Sequence, residues 1–125
     1  MKKIIALTVF SLLVSGQAFA LNTITMNSDL TAAAAKSGLS LYGDKSDATQ
    51  ATATLIGKTS TGVSVGVKVG AGGYAMVTQH KSGIKAFGTS FNSTSVFYKD
   101  ATAGTAVLTV PNNTDATDFA AWQSM

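Results

Sequence analysis

The chain has 125 residues and a formal net charge of +3, carried by nine lysines against six aspartates, with neither arginine nor glutamate. It contains no cysteine, which excludes a disulfide framework, a thiolate metal site and a lipid anchor on an N-terminal cysteine. The lysines are scattered, and without arginine there is no bidentate phosphate or base reader, so nucleic acid is a poor partner.

The first twenty residues, MKKIIALTVFSLLVSGQAFA, read as a leader. Lys2 and Lys3 open it, an apolar run from Ile4 to Val14 follows, and Ala18-Phe19-Ala20 has the small-x-small pattern of a signal-peptidase site. The run is too short to span a bilayer as a stable helix. Cleavage between Ala20 and Leu21 is expected to leave a single domain over 21–125, exported to the periplasm or beyond. That segment keeps seven lysines against six aspartates, a net charge of +1.

In the remaining chain, Asn27-Ser28-Asp29 supplies capping side chains before LTAAAAKSG. Alanine is the best helix former, and Gly38 stands where a helix would end, so a short helix is expected from about Asp29 to Ser37. LSLYG (39–43) reads as a short strand, DKSDATQAT as a polar loop, and ATLIGKT as extended again. Within the last, Gly57-Lys58-Thr59 matches the end of a phosphate-binding loop. That loop needs a glycine at position 52, where Thr52 stands, and a helix afterwards, where a strand pattern follows. Lys58 is therefore expected in solvent.

The strongest periodicity begins at Gly62. Val63, Val65, Val67 and Val69 share one face of a strand; Ser64, Gly66 and Lys68 share the other. GAGG (70–73) turns the chain into a second strand, 74–81, and Ser82-Gly83 turns it into a third, 84–91. A fourth is expected over 94–100 and a fifth over Thr105–Val110, ended by Pro111. Short connections make neighbouring strands antiparallel. The expected fold class is α+β: an antiparallel meander of four to five strands behind a short N-terminal helix. Phe119 and Trp122 lie in the polar tail beyond it. They serve either as a plug folded back on the domain or as an anchor for a partner.

No constellation points to catalysis, a cofactor or a metal. His80 is the single histidine and has no acidic neighbour in sequence. Asp44 and Asp47 sit in a solvated loop that would not raise a carboxylate pKa. DKSD lacks the continuation and closing glutamate of a calcium loop. The chain is not expected to be an enzyme.

Several phrases taken together carry a resemblance. LYGDKSDATQATATLIGKTSTGVSVGV, GYAMVTQHKSGIKAFGTSFNSTSVFYKD and the closing AAWQSM resemble the small exported partner subunit of split type IV pilins of metal-reducing bacteria. The likeness runs from about Leu39 onward. It implies a globular β domain that pairs non-covalently with a pilin reduced to its long N-terminal helix. It further implies a heterodimer built into a helical filament, pilus or pseudopilus, on the cell surface or in the periplasm, and a link to export of surface cytochromes. There is no CxxCH haem site. The alternation places the partner helix against Val63, Val65, Val67 and Val69, with Phe119 and Trp122 as further interface candidates. The competing readings are a secreted module that binds a surface glycan or protein, and an oligomeric outer-membrane β protein. About five strands are too few to close a barrel in one chain.

Overall fold

The period-two valines from Val63 build an eight-residue strand. The computed structural model describes residues 23–26, 28–33, 40–42 and 55–125. In chain order these form a helical turn α1 (Leu30–Ala33) and strands β1 (Ser40–Tyr42), β2 (Leu55–Lys58), β3 (Val63–Gly70), β4 (Gly73–His80), β5 (Lys85–Ser90) and β6 (Phe97–Asp100). A 3₁₀ turn (Ala116–Phe119) and a two-residue strand β7 (Gln123–Ser124) complete the chain. β1 and β2 pair as an antiparallel ribbon; β3 to β7 form an antiparallel sheet in sequence order.

Turn chemistry sets the register. Gly70 pairs with Gly73 across the Ala71-Gly72 turn, and the ladder runs back to Val63 opposite His80. β4 pairs with β5 from Ala75–Ser90 to Gln79–Ala86, and β5 with β6 from Lys85–Asp100 to Gly88–Phe97. Directly paired residues point to the same side of a sheet, as do alternate residues along a strand. One face therefore carries Val63, Val65, Val67 and Val69 with Met76, Thr78, Phe87 and Tyr98. The other carries Ser64, Gly66, Lys68, Ala75, Val77, Gln79, Ala86, Gly88 and Phe97.

The main core lies on this second face. Ala75, Val77 and Ala86 are fully buried there, and Val77 packs with Met26 and Leu30, joined by Leu108 and Trp122. The tail closes the layer: Phe119, fully buried, stacks on Phe97 at 5.5 Å and meets Trp122 edge-on at 5.2 Å. Two glycines make the fit possible. A Cβ at Gly88 would fall inside the Phe119 ring, and one at Gly66 would collide with the Thr109 carbonyl oxygen.

The expected fifth strand over Thr105–Val110 is not a strand. Its backbone crosses the packed face, with groups paired elsewhere: Ala106 N–H donates to Ser28 O, Val107 N–H to Gln79 Oε1, and Thr109 O accepts from Met26 N–H. The place beside β6 goes to β7, which closes with Met125 N–H donating to Val96 O and the Tyr98 hydroxyl to Gln123. The fourth strand is also shorter than expected, since Thr94–Val96 belongs to the preceding turn. Of the expected Asp29–Ser37 helix, the turn Leu30–Ala33 is described; positions 34–37, the 44–52 loop with Asp44 and Asp47, and the leader through Leu21 lie outside the described residues. What is described is mostly antiparallel β, with one α-helical turn.

Candidate functional site

The valine face is where a partner was expected. Along β3, Val65 and Val67 are nearly enclosed, at 5% and 2% exposure, whereas Val63 and Val69 are half-buried. Beyond Val67 the sheet edge is taken by Ile24, which exchanges both backbone hydrogen bonds with it at 2.8 and 2.7 Å. Val65 and Val67 are thus not surface contacts in the isolated chain. The accessible apolar area lies further across the sheet, at Tyr74 on β4, Phe87 on β5 and Ile84 in the turn between β4 and β5, where Ile84 is 71% and Phe87 36% exposed.

Around Ile84 the surface is concave. A half-open groove of about 400 Å³ is lined by Val63, Thr78, His80, Gly83, Ile84, Lys85 and Phe87. The residues forming it follow from the ladder: Val63 opposes His80, Thr78 opposes Phe87, and the Lys81-Ser82 turn brings Ile84 up beside them. Its floor is hydrocarbon, and His80 and Lys85 stand among its lining residues. His80 packs its ring against Gly62, and its Nδ1 accepts from Ser82 N–H at 3.1 Å. A Cβ at Gly62 would meet that ring, and the residue sits at φ +83°, a conformation glycine adopts without strain. Lys85 lies 3.2 Å from Asp100 and 4.1 Å above the Tyr98 ring. This ion pair is open to water, contributes little to stability, and leaves the mouth of the groove edged by one cation and one carboxylate.

Such a groove can bind by hydrophobic contact with a charged edge. Among the described residues, no three His, Cys, Asp or Glu side chains gather closely enough to hold a metal. Lys58 ends β2 and is exposed, and Gly57 pairs with Leu41 within the ribbon rather than opening a phosphate loop.

No known protein family, curated protein or solved structure matches this chain.

The remaining two interface candidates fold inward. Phe119 is a plug in the chain's own core, and Trp122 is half-buried against Met26, Leu30 and Val77. A partner would reach Phe119 only if the tail lifted from the sheet. Ile84 and Phe87, absent from the sequence-level candidates, are the exposed apolar side chains of the groove. Ile84 directly follows the Ser82-Gly83 turn, but nothing in the spacing along one strand brings it and Phe87 to the same groove.

Proposed function

We propose that this chain is a structural subunit, the globular β domain of a split type IV pilin. It pairs non-covalently with a helix-only pilin and builds with it a pilus or pseudopilus filament linked to cytochrome export. On this reading the leader is removed between Ala20 and Leu21, and the domain works in the periplasm or at the cell surface.

The observation that supports it is the apolar groove at Val63, Ile84 and Phe87 on the sheet face opposite the core. Long apolar helices bind such surfaces through a few anchor side chains. Among the described residues, no helix is long and apolar enough to cross a membrane; the partner's helix would supply that function. The resemblance over Leu39 onward suggests the kind of partner, and on this reading the groove is the surface it would use.

A charge in the groove tests the contact. Ile84→Asp and Phe87→Asp would each place a carboxylate in an apolar interface, which costs on the order of several kcal/mol when buried unpaired. Both side chains are exposed in the isolated chain, so the melting temperature is expected to stay within a few degrees. Recovery of the helix-only pilin with the tagged variant is expected to fall at least tenfold. Undiminished recovery from both variants contradicts this placement.

A further inference from the structure

The turn between β5 and β6 holds one of two N-x-[ST] patterns in the chain. Asn92-Ser93-Thr94 and Asn112-Asn113-Thr114 both satisfy the N-x-[ST] pattern without proline. The two asparagines are held differently. Asn92 accepts two hydrogen bonds on Oδ1, from the Ser90 hydroxyl at 2.8 Å and from Ala116 N–H at 3.1 Å. Its Nδ2 donates to no described residue, and both Asn92 and Thr94 are exposed. The amide is thereby anchored by its oxygen, and its nitrogen, the atom a glycan is joined to, is left toward solvent. Asn112 is turned the other way, its Nδ2 directed at Asp118 Oδ1 at 3.4 Å. Beside Asn92 in sequence, Phe91 is 49% exposed with its ring over Gly73.

We infer that Asn92 is a glycosylation site and that Asn112 is not. The donor class is an oligosaccharide on a polyprenyl diphosphate, met during export. The C1–O bond to the diphosphate breaks, polyprenyl diphosphate leaves with the electron pair, C1 bonds to Asn92 Nδ2, and that nitrogen gives one proton to base. The inference is independent of the pilin reading; it requires that the chain be exported past a membrane oligosaccharyltransferase that supplies this donor.

The test is peptide mass spectrometry on the protein purified from the cells that make it. Trypsin separates the two asparagines, since cuts after Lys85 and Lys99 leave Asn92 in 86–99 and Asn112 in 100–125. A sugar mass on 86–99 is expected, with 100–125 unmodified. Thr94→Ala keeps both Asn92 hydrogen bonds and is expected to abolish the addition. An unmodified 86–99 peptide, an addition that survives Thr94→Ala, or an equal addition on 100–125 overturns the inference.

Discussion

Gly88 and Gly66 show how much of this fold depends on atoms that are not there. Each leaves a gap in the packed sheet face, filled at Gly88 by the Phe119 ring and at Gly66 by the Thr109 carbonyl. Gly88→Ala is expected to lose about 1–3 kcal/mol, the usual range for overpacking a core. Gly66→Ala should lose at least as much, because the obstacle there is backbone. Urea unfolding of the two variants checks both. Gln79 is the polar counterpart. Buried on the same face, it donates through Nε2 to Thr105 O at 2.9 Å and accepts from Val107 N–H at 3.0 Å, holding the crossing segment on the sheet. Gln79→Leu orphans both backbone groups, at about 1–3 kcal/mol each. Hydrogen exchange at the Val107 amide should rise sharply in that variant; an unchanged rate would mean the segment is held by something else.

Strands β3, β4 and β5 were legible because alternation and glycine turns are local signals, and their bounds fall within a residue or two of expectation. Which face would be covered was not legible. A period-two pattern says which residues share a face, and Val65 and Val67 are indeed nearly enclosed, yet a second and larger packed layer formed on the opposite face over Gly66, Ala75, Ala86 and Gly88. The reason is the tail: its aromatic side chains and the 105–110 crossing need small residues beneath them. Thr105–Val110 misled for a related reason, since β-branched residues favour extended backbone whether or not a neighbouring strand is available. The groove at Ile84 depends on register across three strands and was not visible from spacing along one. The tail's role has two consequences. Phe119→Ala should cost about 3–5 kcal/mol and loosen β7, seen as a lower unfolding midpoint and faster exchange at Met125. Asp115 caps the 3₁₀ turn by accepting from Thr117 N–H at 2.9 Å, and its hydrogen bonds with Thr117 hold its carboxyl below the ordinary value. A pKa depressed by folding means that the cap's contribution is present above the unfolded pKa and lost as pH falls through the folded one. Acid titration should therefore weaken the cap in the native protein, and Asp115→Asn should remove that pH dependence.

At the scale of the whole molecule, the two sheet faces have different occupants. One is sealed by Met26, Leu30, Leu108, Phe119 and Trp122 from the same chain. The other encloses Val65 and Val67 but keeps Tyr74, Ile84 and Phe87 open beside the Lys85–Asp100 ion pair. The account's central claim is that a helix-only pilin occupies this second face. Its most direct test is affinity purification of the tagged mature chain from native cell envelopes, with the recovered proteins quantified by mass spectrometry. The account predicts a short helix-only pilin at near-equal abundance. Recovery of the chain alone, soluble and monomeric, would contradict it and favour a free-standing secreted binding module.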